Sequence, residues 1–227
     1  NLSSTLGKSL DAFFNENIHV ADALAKNDLT RKVIDITDGK DLSNKEIVRE
    51  LQSDPAIITQ CNILSKFSTE FKMNAIYLMN AQGRVISGQV ASNIGMDLSA
   101  RDYYKKLVST KKSLFSEAIL SKTTNKPTIV FVTPILENNE FIGGLLVSVD
   151  YPIFFESNIA NITVGSDQHA YAISASNKIV AHLNKDYIDV IEDSKWSFSK
   201  DVINTDSDII NYTDQDGREM IAGIYPM

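Results

Sequence analysis

From its first residues the chain carries a stripe of mostly apolar positions at three- and four-residue steps: Leu6, Leu10, Phe13, Phe14, Asn17, Ala21 and Leu24. Lys8, Asp11 and Glu16 fall largely off that stripe. The spacing predicts one helix over residues 1 to about 27. The stripe suits packing on the helix's own core first, and pairing with a partner subunit second. A polar break follows, TDGKDLSN at 37–44. Ser43 with Glu46 three residues later reads as a capping box opening a second helix that runs to about Asp54. Pro55 fits the first turn of a third, with Ile57, Ile58, Cys61, Ile63, Leu64 and Phe67 as its apolar face.

The period then changes. AIYLM at 75–79, the turn NAQG and RVISG predict two short strands. A loop leads to a short helix beginning near Arg101. LFSEAI is a candidate strand and SKTTNKP a loop. TIVFVTPIL, ENNE and FIGGLLVSVD form the clearest hairpin, with Gly143 and Gly144 marking a bulge or a close backbone approach. The plan then recurs at the level of pattern, about a hundred residues later. HAYAISASNKIVAHL (169–183) reads as strand, turn, strand, and a short helix is expected near 185–191. DIINYTDQDGREMIAGIYPM (208–227) reads as strand, Asp-Gly turn, strand. YPIFFESNIANI (151–162) is the expected connecting helix.

Composition supports a packed core: of 227 residues, 43% are hydrophobic and 22% charged. The net charge of −7, from 29 acidic and 22 basic residues, repels phosphate backbones and argues against nucleic acid as a partner. Cys61 is the single cysteine, which rules out an internal disulfide. No stretch reaches the length of a membrane span and no signal peptide is visible. The first residue is not Met and the last falls on an expected strand, so we expect a soluble piece of a longer protein whose membrane segments lie outside it.

Three stretches carry a family resemblance: DLSARDYYKKL (97–107), SEAILSKTTNKPTIVFVTPI (116–135) and GGLLVSVD (143–150). In this order, behind a long first helix and with two sheet modules in series, they resemble the double Cache domain, a sensor ectodomain of bacterial chemoreceptors, histidine kinases and cyclases. The resemblance implies an α+β fold: a long N-terminal helix followed by two PAS-like antiparallel-sheet modules in tandem. Its divisions would be a helical stalk and helices at 1–74 and a membrane-distal ligand-binding module at 75–150. The connecting helix at 151–162 and a membrane-proximal module at 163–227, cut short at its end, would follow. It implies an extracytoplasmic location, a small-molecule ligand and no catalytic activity.

In the amino-acid-binding branch of that family, an Arg and two aromatics hold the ligand carboxylate, and a strand-end Asp holds its ammonium. Arg101, Tyr103 and Tyr104 match the first set and Asp150 the second. Tyr103 stands where the branch has tryptophan. The tyrosine expected near 118–120 is replaced by Ala118, Ile119 and Leu120, and Met96 and Asp97 stand where another is expected upstream of Arg101. The carboxylate half is thus better kept than the ammonium half, and a simple carboxylate, or an amine held by Asp97 and Asp150, stays open.

The residue chemistry agrees. Arginine offers a planar fork to a carboxylate, tyrosine a donor on a rigid wall, and an acid favours a cation. The plainer alternative is a surface pair of Arg101 with Asp97 or Asp102. Tyr77, Phe131, Thr133 and Ser148 lie on expected strands of the same module, and alternation puts Phe131 and Thr133 on one face. His19, His169 and His182 lack partners at metal-ligand spacing, and no nucleophile, phosphate-loop or dinucleotide motif occurs. The reading is therefore a receptor ectodomain for an amino acid, carboxylate or amine, without cofactor or metal. A homodimer through the first helix is compatible with its stripe, though the sequence leaves the oligomeric state open, and chemoreceptor output is preferred over kinase or cyclase. A hydrolase and a structural spacer are the rivals.

Overall fold

A computed structural model describes residues 2–116, 119–125 and 127–150, and four short strands at 172–173, 179–181, 209–213 and 219–223. The first helix, α1, covers Leu2–Ala25. It ends where Asn27 becomes the N-cap of α2 (Asp28–Thr37), its side-chain oxygen accepting from the Leu29 amide at 2.8 Å. The sequence pattern gave no helix over 28–36. The buried face of α2 holds only Val33 and Ile34 among apolar residues, and completes itself with Thr30 and Thr37. Both hydroxyls are satisfied: Thr30 donates to the Leu24 carbonyl at 2.8 Å and Thr37 to that of Val33 at 2.9 Å.

Helix α3 (Lys45–Gln52) is capped by Asn44, whose side chain accepts from the Glu46 amide at 2.9 Å. Ser43, expected as the cap, instead donates through its amide and hydroxyl to Asp41 at 2.9 and 2.6 Å. Helix α4 (Pro55–Glu70) opens with Pro55 behind an Asp54 cap. It buries Ile57, Gln60, Cys61 and Leu64, a strict three-and-four spacing that leaves Ile58 44% exposed. Gln60 enters this face because its amide donates to Thr30 at 3.0 Å.

Six strands form one sheet: β1 (Ala75–Asn80), β2 (Val85–Gly88), β3 (Leu114–Phe115), β4 (Ile119–Leu120), β5 (Pro127–Glu137) and β6 (Glu140–Asp150). The order is β2-β1-β6-β5, with β3 and β4 both paired to β5 at that edge. The expected LFSEAI strand is thus two short pieces. The β5–β6 turn places Asn138 and Asn139 at φ 49° and 66°, the left-handed pair a two-residue hairpin requires. The expected bulge is present as a register shift after Ile135, opposite Gly143. The close approach is present too: a Cβ on Gly143 would lie 2.5 Å from the Met79 carbonyl oxygen.

Register assigns the two faces. Tyr77, Leu146, Val132 and Leu114 form one cross-strand row, with Ala75, Ser148 and Val130 in the next and Asp150, Thr128 and Ile119 at the end. This face packs against α5 (Asp102–Thr110) through Tyr103, Tyr104 and Leu107. Burying Leu107 contributes about 1.5–3 kcal/mol. The opposite face, with Ile76, Leu78, Leu145, Val147, Phe131 and Thr133, meets the helical layer. There α2 and α4 lie against β1 and β2, and Cys61 reaches the Ser87 hydroxyl at 3.4 Å.

The chain divides into two compact units, one of residues 15–150 and one of 1–14 with 151–227. Helices α2 to α4 belong to the same unit as the six-stranded sheet. In the other unit β7 (Ala172–Ile173) pairs with β8 (Ile179–Ala181), and β9 (Ile209–Thr213) with β10 (Glu219–Gly223), all antiparallel. These match the two expected hairpins. The expected helices at 151–162 and 185–191 lie outside the described residues.

Candidate ligand-binding site

The site lies on the α5 side of the sheet. Arg101 is the N-cap of α5 and supplies no side-chain acceptor to the first helical amides, while Asp102 places a negative charge in the first turn. Its half-buried guanidinium donates through Nη2 to the Leu120 carbonyl at 3.2 Å. That single bond ties the head group to edge strand β4 and leaves most of its donors for a ligand.

Next to Leu120, Ile119 begins the row Ile119–Thr128–Asp150. Two strand spacings separate its ends, about 10 Å. Thr128 donates to the Val149 carbonyl at 2.8 Å and so gives nothing to its neighbour Asp150. The Asp150 Oδ1 atom is buried and has no hydrogen-bond partner among the described residues. A buried carboxylate oxygen in that condition is unfavourable until a donor arrives.

The two tyrosines of α5 do different work. Tyr104 donates to the Ala81 carbonyl at 2.7 Å, and its ring meets Phe141 edge-on at 6.3 Å, so it anchors α5 to the β1–β2 turn. Tyr103 is 6% exposed, and its hydroxyl makes no hydrogen bond among the described residues. Burial pushes its phenol up to about 12, with the Arg101 charge pulling the other way and Tyr77 close by. Tyr103 therefore stays protonated, with Arg101 nearby, at any physiological pH. The Tyr77 phenol, also raised by burial, accepts from Asn93 Nδ2 at 2.9 Å, with the Thr123 hydroxyl beside it.

Asp97 is otherwise engaged. It accepts from the Ser99 amide and hydroxyl at 2.9 and 2.7 Å and lies 3.3 Å from Arg84 Nη2, and the Ser99 bonds hold its carboxyl below the usual range. Its backbone carbonyl takes the Lys122 ammonium at 2.6 Å. Asp97 thus organises the loop ahead of α5 and fastens the β4–β5 loop to it.

Phe131 and Thr133 share a face, as alternation requires, but it is the helical face. Thr133 donates to Asp22 of α1 and pairs with the Ser113 hydroxyl at 2.7 Å, and Phe131 lies 6.3 Å from the Phe115 ring. The structure therefore gathers Arg101, Tyr103, Tyr77 and Asp150 on one side of the sheet and puts Phe131 and Thr133 on the other. Sequence reasoning missed Asn93, Ile119, Lys122 and Thr123, which surround the same ground. No pattern along the chain marks them, because each arrives from a loop or an edge.

Among the described residues no cluster of His, Cys, Asp or Glu is arranged to hold a metal, and no helix is long and apolar enough to cross a membrane.

A family model described as Cache domain matches residues 1–227. Sporulation kinase D of Bacillus subtilis (strain 168) is 24% identical over 120 residues, which are 52% of this chain and 23% of that protein. The chain thus spans about a quarter of that relative. Among solved structures, the ligand-binding domain of the Campylobacter jejuni chemoreceptor Tlp3 in complex with L-valine gives a TM-score of 0.65 at 18% identity, covering 97% of this chain and 83% of that one. The ligand-binding domain of the Pseudomonas aeruginosa amino acid chemoreceptor PctB in complex with L-Gln gives 0.60 at 12% identity, covering 92% and 76%. These likenesses bear out the α+β fold.

Proposed function

Because the chain belongs to the Cache domain family, we propose that it is the extracytoplasmic ligand-binding part of a transmembrane signalling receptor, and that it takes a small amino acid or carboxylate between α5 and the sheet. The observation that carries this reading is the pairing of unmet groups across one row. Arg101 and the Tyr103 hydroxyl stand at the α5 end, and the unpartnered Asp150 Oδ1 stands at the end of β6. A carboxylate on the first and an ammonium on the second would satisfy both. Binding favours whichever arrangement of α5 and the β4–β5 loop closes on the ligand, by its differential affinity for that state. We read a chemoreceptor output from the likeness to chemoreceptor domains, and a homodimer through α1 from its apolar stripe. The likeness to Sporulation kinase D favours kinase output as the second reading.

The test is a thermal-shift and calorimetric screen against amino acids, simple carboxylates and amines, run on wild type, Arg101→Ala and Arg101→Lys. A ligand at a hundred times its Kd adds about 2.7 kcal/mol of stability. Arg101→Ala is expected to weaken a carboxylate ligand by about a hundredfold, and Arg101→Lys to recover little, because an ammonium does not reproduce the fork. Tight binding of a carboxylate ligand to Arg101→Ala would remove the clamp from the site, and binding of plain amines alone would shift recognition to Asp150.

A further inference from the structure

Charge is unevenly spread along this chain. The unit of residues 15–150 holds as many basic as acidic residues, so the whole net charge of −7 falls to the other unit. Within the neutral unit the stretch 98–136 stands apart: seven basic residues lie there against two acids, Asp102 and Glu117. That stretch supplies α5, which Arg101 caps, and the β4–β5 loop, which begins at Leu120, whose carbonyl Arg101 bonds.

Lys105, Lys106, Lys111, Lys112 and Lys122 are all exposed, and their charges are little offset. Lys105 lies 3.7 Å from Asp102, both largely in solvent, a pairing that contributes little. Lys111 and Lys122 donate to the Asn139 and Asp97 carbonyls at 2.7 and 2.6 Å, bonds that hold the ammonium groups without neutralising them. The Asp97 carboxylate lies 3.3 Å from Arg84, a cation outside the stretch. The dipole of α5 favours cations at its C-terminal end, as at Lys111 and Lys112. It gives no reason for Lys105 and Lys106 in the middle of the helix, or for Lys122 in the loop.

We propose that these lysines set up a positive field around Arg101 that selects ligands of net negative charge and speeds their arrival, so that the site takes an acidic α-amino acid in preference to its neutral amide. The inference rests on the amino-acid reading of the site given above, and narrows it. A cluster of one sign on the surface raises the local concentration and the association rate of an oppositely charged ligand, and salt screens the effect. The α-carboxylate and ammonium of such a ligand meet Arg101 and Asp150 as those of any amino acid would, and its extra charge is what the surface reads. A plain amine is repelled by the same surface.

L-aspartate and L-asparagine are the matched probes, alike in shape and different by one charge. In low salt the wild type is expected to take up aspartate about fivefold faster than asparagine, and the difference shrinks as salt rises past about 0.3 M. Lys106→Gln combined with Lys112→Gln, two exposed positions apart from the ligand-holding groups, should slow aspartate association about threefold or more while leaving asparagine binding and the melting temperature unchanged. Equal rates for the two probes overturn the inference and leave the amino-acid reading standing. So does a preference for aspartate that neither salt nor the double variant alters. Tighter binding of plain amines than of either probe overturns it as well. If no amino acid binds the wild type but succinate does, with the same salt dependence, the ammonium half of that reading fails and the field is upheld. If none of these binds, the reading itself fails and this inference falls with it.

Discussion

Thr128 and Asp150 face each other across β5 and β6, yet the threonine hydroxyl turns to the Val149 carbonyl and leaves the Asp150 Oδ1 buried without a partner among the described residues. The unmet carboxylate oxygen is a local weakness of the unit, and in the proposed site it is the group that would take a ligand cation.

Asp150→Asn tests that trade. The amide keeps the shape and removes the charge, so the unliganded protein is expected to hold its stability or gain about 1 kcal/mol. The thermal shift caused by an amino-acid ligand should vanish in the same variant. A loss of about 2 kcal/mol or more in urea unfolding would instead mean that the carboxylate serves the fold.

The two tyrosines of α5 should separate cleanly. Tyr104→Phe removes the bond to the Ala81 carbonyl and is expected to destabilise the unit by about 1–2 kcal/mol. Tyr103→Phe breaks no bond among the described residues, so its stability should stay within about 0.5 kcal/mol of wild type while ligand affinity falls. Paired melts and calorimetry on the two variants read this directly, and the opposite ordering would exchange their roles.

Alkaline pH gives an independent check on Tyr103. In the unfolded chain its phenol ionises near the ordinary value of 10.0, whereas burial in the fold pushes it up to about 12. Between those limits the unfolded state has lost a proton that the folded state keeps. Stability is therefore complete below pH of about 10 and falls as pH rises toward about 12, by at most about 1.4 kcal/mol per unit. Tyr77 and Tyr104 are shifted in the same direction by burial and add to the fall. Urea midpoints for wild type and Tyr103→Phe should diverge above pH of about 10, the variant losing less; parallel curves would mean that this phenol meets water in the fold.

Gly143 is a purely structural test. A Cβ there would lie 2.5 Å from the Met79 carbonyl oxygen, a backbone atom with little room to retreat. Gly143→Ala is expected to cost about 1–3 kcal/mol by forcing β1 and β6 apart. An unchanged melting temperature would show that the strands yield more readily than their packing implies.

Much of the fold was legible along the chain because it is local. The β5–β6 hairpin, the Gly143 approach, the Pro55 helix start and the two hairpins of the second unit each depend on neighbours in sequence. What failed depended on distant partners. Helix α2 hides because half its buried face is threonine, made acceptable by the Leu24 and Val33 carbonyls. Gln60 displaces Ile58 from the core because Thr30 waits for it. Alternation joined Phe131 to Thr133 but cannot say which face looks toward α5; the packing of α5 on Tyr77, Val130 and Val132, and the Thr133 bond to Asp22 of α1, decide it. Around the candidate site, Arg101 and Asp150 were named from the family resemblance, and the contact of Asp97 with Arg84 follows from no pattern along the chain.

The strand order has a consequence for how the protein assembles and comes apart. The β1–β2 and β5–β6 hairpins form from adjacent residues, but the sheet exists only once Ala75 has found Ser148 and Tyr77 has found Leu146. Closing a loop of that length costs about 4 kcal/mol of chain entropy, so the β1–β6 line is a seam between two quickly made halves. Tyr77 belongs to one half and Ser148 and Asp150 to the other. A ligand held across them, as proposed, would tie the two halves together at the line where their pairing is most distant in sequence.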